Sequence, residues 1–304
     1  MAQTEFQGLF VPTITVFKEG DQSIDHAAIQ EHVDHLIATG VDGLIPNGST
    51  GDFHLLTLEE RQKVAESVIA RAAGRVPVIV GATCLSTAEV IRLSLHAQEH
   101  GAAGVMVAPA FYLPMSRAEI LAHFQSVARA IKIPLVVYNN PLCTGQHVSA
   151  EMISVLEKSV GVRYVKESSG VFDNFQQILV STGQRVKVFM GEEALSLEAL
   201  LMGAAGLIMG LANAIPDRFV EMLKAVQRGD IAQARLLHYQ TLPLYYLANE
   251  GATHNYNSVI KSVIKLRRGK KGVTSSRAPS LPLTDPQEGK LAELLDRIGL
   301  GQGG

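Results

Sequence analysis

A lysine closes an apolar run in the segment VRYVKESSG (162–170): Val162, Tyr164 and Val165 lead to Lys166, and Glu167, Ser168, Ser169 and Gly170 then turn the chain. An ammonium at a strand tip commonly snorkels into water. Confined in a pocket it is desolvated instead, which disfavours the charged form and leaves an amine able to attack a carbonyl carbon. Tyr138 ends a second run, PLVVYNN (134–140). Such a tyrosine is often a core residue with a satisfied hydroxyl; facing an amine, the same phenol could carry protons to and from a carbinolamine. The turn GSTG (48–51) sets Ser49 and Thr50 between Gly48 and Gly51, so that backbone and hydroxyls can both approach an anion. Turns of this composition are common. A carboxylate binder beside an amine nucleophile would make a 2-oxo acid the natural substrate.

Metal sites assemble less readily. His96 and His100 stand four apart on a helical segment without the glutamate of the HExxH zinc pattern. His32 and His35 are read as facing water, and Asp52 with His54 offers a lesser metal alternative.

Eight short apolar runs could position these groups: 9–17, 43–47, 76–82, 104–110, 134–140, 162–167, 186–191 and 206–210. Between them lie segments of helical period, such as 25–39, where Ile29, Val33, Leu36 and Ile37 share a face. Thr57 with Glu60, Ser86 with Glu89 and Ser116 with Glu119 read as capping boxes, and Gly40, Gly74 and Gly101 as helix ends. Strand and helix alternating eight times, with near-continuous apolar strands, predict a parallel sheet covered on both faces. The expected fold class is α/β, a (β/α)8 TIM barrel over residues 1–228 with a C-terminal helical appendage over 229–304, its helices near 229–248, 253–267 and 286–298. An open doubly wound sheet is the alternative, but TITVFKEGDQS stands where its Gly-rich phosphate turn belongs. In a barrel, chemistry sits at the C-terminal strand ends. That places Ser49, Thr50, Tyr138, Lys166, Glu192 and Glu193 around one mouth.

Bulk properties exclude other classes. The net charge is −2, and the one basic cluster, RRGKK (267–271), is read as a solvated loop, so no nucleic-acid groove is expected. The longest uncharged run, 199–216, is broken by Gly203, Gly206 and Gly210 and is not read as a membrane span. Cys84 and Cys143 imply no disulfide framework, and MAQTEFQGLF is not read as a signal peptide; a cytoplasmic setting is expected.

Taken in order, GSTGD (48–52), YNNPLCTG (138–145) and VKESSG (165–170) resemble the dihydrodipicolinate synthase/N-acetylneuraminate lyase family of class I aldolases, together with the GEE turn (191–193) and PSLPL (279–283). The resemblance covers the whole chain. It implies Lys166 as the Schiff-base lysine, Tyr138 as the proton relay, and Ser49 and Thr50 as carboxylate holders. It also implies a homotetramer or dimer, with a second tyrosine lent by a neighbouring subunit, which falls on Phe111 or Tyr112 according to register. Two departures stand out. Cys143 occupies the place of the synthase arginine that grips the second substrate's carboxylate, and Gly210 that of a sugar-binding serine of sialic acid lyase. What remains is an aldolase or dehydratase of a 2-keto-3-deoxy sugar acid, or a related enzyme on oxo or imino acids. Gly48, Ser168, Glu192, Glu193 and Gly210 are then the expected substrate contacts and Tyr112 a further catalytic candidate; no cofactor is needed. A synthase, a non-catalytic 2-oxo acid sensor and a metal-dependent aldolase are the rival expectations.

Overall fold

The computed structural model describes residues 5–251, 255–269 and 275–301. Eight parallel strands lie in the order β2-β1-β8-β7-β6-β5-β4-β3. They are β1 (Gly8–Val11), β2 (Gly43–Leu44), β3 (Ile79–Gly81), β4 (Gly104–Val107), β5 (Leu135–Asn139), β6 (Tyr164–Glu167), β7 (Lys187–Met190) and β8 (Gly206–Ile208). The seam between β2 and β3 carries a single parallel bridge, Leu44 to Val78, and so closes a TIM barrel. Each of the eight apolar runs coincides with one strand, and every strand is shorter than its run.

The barrel helices are α1 (His26–Thr39), α2 (Leu58–Ala72), α3 (Thr87–Glu99), α4 (Arg117–Ala130), the short α5 (Pro141–Thr144), α6 (Ala150–Val160), α7 (Phe172–Ser181), α8 (Ser196–Leu201) and α9 (Pro216–Gln227). Three more follow without an intervening strand: α10 (Ile231–Ala248), α11 (Tyr256–Arg268) and α12 (Asp285–Arg297). Thr57–Glu60 and Ser116–Glu119 form complete capping boxes, while Ser86 accepts from the Glu89 amide without the reciprocal bond to its own amide. On α1, Ile29, Val33 and Leu36 are buried against the sheet, and each such side chain contributes roughly 1.5–3 kcal/mol when fully buried.

Two apolar layers result. One lies between strands and helices; the other fills the barrel, with Phe10, Ile45, Ile79, Met106, Val136 and Phe189 among its members. Phe6 packs edge-on against Phe10 and tilted against Tyr164 in this inner layer, with ring centroids 5.8 and 4.7 Å away.

Two expectations are corrected. His32 is buried, because the α1 face carrying it packs on the start of the barrel. Its Nε2 lies 3.0 Å from Asn213 Oδ1, and Arg268 donates to its Nδ1 at 3.3 Å, so the proton sits on Nε2. Burial pulls this imidazole down to about 3, and it stays neutral. Asn213 also accepts from the Ile14 amide and donates to the Pro12 and Gly210 carbonyls, tying the β8 end to the β1 end. Nor does the basic cluster begin as a solvated loop: Arg267 and Arg268 lie in α11, and Arg267 pairs with Asp217 at 3.1 Å. Lys270 and Lys271 lie outside the described residues.

Candidate active site

Strand alternation decides which groups enter the barrel. On β5, Val136 and Tyr138 point inward, and Leu135 and Val137 face the helices. Because Tyr138 pairs with Lys166 and Lys166 with Phe189, the same step of two puts Lys166 inside and Glu167 outside. Lys166 is 6% exposed, its Nζ lies 4.2 Å from the Tyr138 ring centroid, and among the described residues it forms no ion pair. The Tyr138 hydroxyl accepts from Asn140 Nδ2 at 2.7 Å. Its own proton therefore remains available to the cavity.

The carboxylate next to the lysine is a brace. Glu167 accepts from Asn139 Nδ2 at 2.9 Å, Asn174 Nδ2 at 2.7 Å and the Ser169 amide at 2.8 Å. Asn139 in turn accepts from the Val148 amide at 2.8 Å. These bonds lock the ends of β5 and β6 from behind and fix the direction of Lys166.

Room for the lysine comes from Gly191. A Cβ there would lie 2.0 Å from Ser168 Oγ and 2.6 Å from Lys166 Cε, closer than packed atoms come. We expect Gly191→Ala to push the amine off its line. Activity should fall by roughly 100-fold, as expected for a misplacement of about 1 Å, with far-ultraviolet circular dichroism unchanged. Steady-state kinetics on the folded variant test this, and wild-type kcat would refute it.

The GSTGD turn lies opposite. Asn47 and Asp52 bracket it with left-handed φ of 60° and 53°, a conformation asparagine and aspartate tolerate better than most residues. One 3-10 turn spans Ser49–Gly51, and its first bonded amide is Gly51 to the Gly48 carbonyl. The amides of Ser49 and Thr50 precede it, as free donors do at a helical start. Asp52 is no metal ligand: Lys261 Nζ holds its Oδ2 at 2.8 Å and Asn257 Nδ2 its Oδ1 at 2.5 Å. Asn257 also donates to the Ser49 carbonyl at 3.0 Å. His54 is exposed at the rim.

The far wall comes from the β7 end and the appendage. Glu193 is buried and accepts from Tyr256 Oη at 2.6 Å and the Leu211 amide at 3.2 Å. Burial, with Glu193 beside it, raises the Tyr256 phenol well above its ordinary range. Glu192 hydrogen-bonds Tyr245, while its Oε1 is buried without a partner. Burial, aided by Glu193, also pushes the Glu192 carboxyl upward. At Gly210 a Cβ would meet Tyr256 Oη at 2.5 Å, so the tyrosine occupies the space of a side chain.

Together these groups enclose a cavity of about 520 Å³ at the barrel mouth, lined by Gly48, Ser49, Thr50, Tyr138, Lys166, Ser168, Glu192, Glu193 and Gly210. Of the expected residues only Tyr112 lies off it, 82% exposed. Phe111 lines the cavity instead, 6.3 Å from the Phe53 ring. The Ser168 hydroxyl is buried without a partner. Sequence reasoning missed Gly191, Tyr245, Asn249, Tyr256 and Asn257. The last four come from the appendage, whose helices the sequence placed without showing that they reach the mouth.

The family model described as "Dihydrodipicolinate synthetase family" matches residues 5–298. The chain belongs to the dihydrodipicolinate synthetase family. It is 38% identical to the 4-hydroxy-tetrahydrodipicolinate synthase of Thermomicrobium roseum over 78% of each chain. It is 32% identical to that of Methanosarcina mazei over 97% of this chain and 99% of the relative. Among solved structures, YagE of E. coli K12, a family member in complex with pyruvate, superposes with a TM-score of 0.91 at 31% identity, covering 97% and 99% of the two chains. Dihydrodipicolinate synthase from Aquifex aeolicus gives 0.89 at 29% identity, covering 98% and 100%. As a member of this family the protein is a Schiff-base-forming lyase of a 2-oxo acid.

Proposed function

We propose that the chain is an aldolase or dehydratase of a 2-keto-3-deoxy sugar acid, acting through a Schiff base on Lys166. One observation carries the choice of substrate. Among the described residues, the cavity lining includes a single lysine and no arginine, with Cys143 on the rim. The turn at Ser49 and Thr50 serves one carboxylate, which leaves no guanidinium for a second. The opposite wall offers Glu192, Tyr245, Asn249 and Asn255, groups suited to hydroxyls.

On this reading the amines and amides act in sequence. Ser49, Thr50 and their amides hold the carboxylate, and Lys166 Nζ adds to C2. Tyr138 passes the proton that turns the carbinolamine hydroxyl into leaving water. The protonated imine then accepts an electron pair. In dehydration the phenolate of Tyr138 takes a C3 proton, and the enamine so formed expels the C4 hydroxyl as water with a proton from Glu192. In aldol cleavage the phenolate of Tyr138 takes the C4 hydroxyl proton, the C3–C4 bond breaks to give an aldehyde and the enamine, and Tyr138 returns that proton to C3 to restore the iminium. Water releases the product and the free lysine in both cases. The raised Glu192 carboxyl, with its unpartnered oxygen, favours dehydration. We further infer that the enzyme works in the cytoplasm as a homo-oligomer that covers the exposed Tyr112 and Leu113.

The relatives named as 4-hydroxy-tetrahydrodipicolinate synthases favour a second reading, condensation of pyruvate with aspartate semialdehyde. Borohydride with pyruvate should add a stable adduct to Lys166 under either reading, and peptide mapping that finds Lys166 unmodified would discard both. A panel of 2-keto-3-deoxy acids, scored separately for aldehyde and for loss of water, then separates them from the coupled synthase assay. Glu192→Gln should lower kcat on the best panel substrate by about 100-fold while keeping the pyruvate adduct.

A further inference from the structure

We propose that Glu66, His96 and His100 form a binding site for a divalent transition-metal ion of the zinc type, clipping α2 to α3 on the outer wall of the barrel. Sequence spacing left the two histidines without a carboxylate; the fold brings Glu66 to them from α2. Its Oε1 lies 2.9 Å from His96 Nε2 and 3.8 Å from His100 Nε2, and all three ligand atoms lie within 4.8 Å of one another. Zinc bonds of about 2.0–2.2 Å in tetrahedral geometry set neighbouring ligand atoms roughly 3.3 Å apart. The two Glu66 separations bracket that spacing, and the third ligand atom pair also lies within 4.8 Å, within reach of rotamer adjustment.

The ring orientations agree. His100 Nδ1 lies 2.8 Å from the His96 carbonyl oxygen, which can only accept, so Nδ1 carries the proton and Nε2 keeps its lone pair. A bond of this kind, from the second ring nitrogen to a backbone carbonyl, is what holds metal-ligating imidazoles in place. The two rings stack with centroids 4.1 Å apart and planes 29° from parallel, turning both Nε2 atoms to Glu66. In the metal-free state His96 Nε2–H donates to Glu66; binding moves that proton to Nδ1 with no net release. Side chains of Glu66 and His100 are each 43% exposed, leaving an entry path and a fourth position for water. Two imidazoles and one carboxylate suit zinc, cobalt, nickel or copper better than magnesium or calcium. Because α3 runs from the mouth back toward β4, the ion sits at the far end of the barrel from Lys166.

The full-length chain, stripped with chelator, should be titrated with zinc alone by calorimetry and with cobalt by visible absorption. The expected result is one ion per chain with a dissociation constant on the order of micromolar, and a cobalt spectrum of four-coordinate intensity. His100→Ala and Glu66→Ala should each weaken binding at least about tenfold, with the metal-free melting temperature and pyruvate adduct formation unchanged. Zinc should raise the melting temperature of the wild type by a few degrees and leave that of His100→Ala in place. Undiminished zinc affinity in His100→Ala, or no saturable binding below about millimolar zinc, would overturn the site.

Discussion

Replacing Lys166 by arginine should leave the barrel folded and remove turnover. A guanidinium stays protonated and offers no lone pair to C2. The loss in kcat should reach about 10⁴-fold or more, because the variant loses the covalent route and not merely a contact. Treatment with pyruvate and borohydride should then leave the protein mass unchanged. Gly191 and Ser168 leave little space around the lysine arm, so the bulkier arginine could disturb the mouth. Lys166→Ala shares the chemical defect without the crowding. Full turnover in either variant would show that residue 166 is not the nucleophile.

The second large effect concerns stability. Lys261 and Asp52 form a buried pair, with side chains 1% and 3% exposed. Lys261 Nζ also donates to the Ser275 carbonyl at 3.3 Å and lies 4.9 Å from the Phe17 ring centroid. Lys261→Met keeps the length of the side chain and its packing on Phe17 but strands the carboxylate, with Asn257 as its remaining side-chain partner. Removing one member of such a pair costs about 3–5 kcal/mol. For a chain of this size that lowers the apparent melting temperature by about 10 °C. Adding Asp52→Asn should recover much of the loss, a coupling that a double-mutant cycle reads directly. Because Asp52 terminates the GSTGD turn, the single variant should also weaken pyruvate binding. An unchanged melting temperature would mean that the pair is not what holds the turn.

Those two residues lie 209 positions apart, and their meeting explains why part of the site was not legible in the sequence. Local signals were reliable where the cause is local. The eight apolar runs each delivered a strand, and two of the three hydroxyl–glutamate spacings made complete capping boxes. Period two along β5 and β6 sufficed to aim Tyr138 and Lys166 at one mouth. Features that depend on a distant partner were missed or misassigned. Asp52 looked like a free ligand until α11 supplied Lys261. His32 looked solvated until Asn213 and Arg268 closed over it. A glycine before two glutamates reads as an ordinary turn, and only the packed lysine shows why position 191 cannot carry a side chain. The register around AFYLP left Phe111 and Tyr112 open, and the backbone turns the first into the cavity and the second outward.

The anchoring of the GSTGD turn by α11 bears on how far this mouth can be transplanted. An eight-stranded scaffold that borrowed only the strand tips would inherit the proposed nucleophile but not the proposed anion cradle, whose turn is held by a helix beyond the last strand. Any redesign that aims to move this chemistry to a smaller host has to take that helix with it.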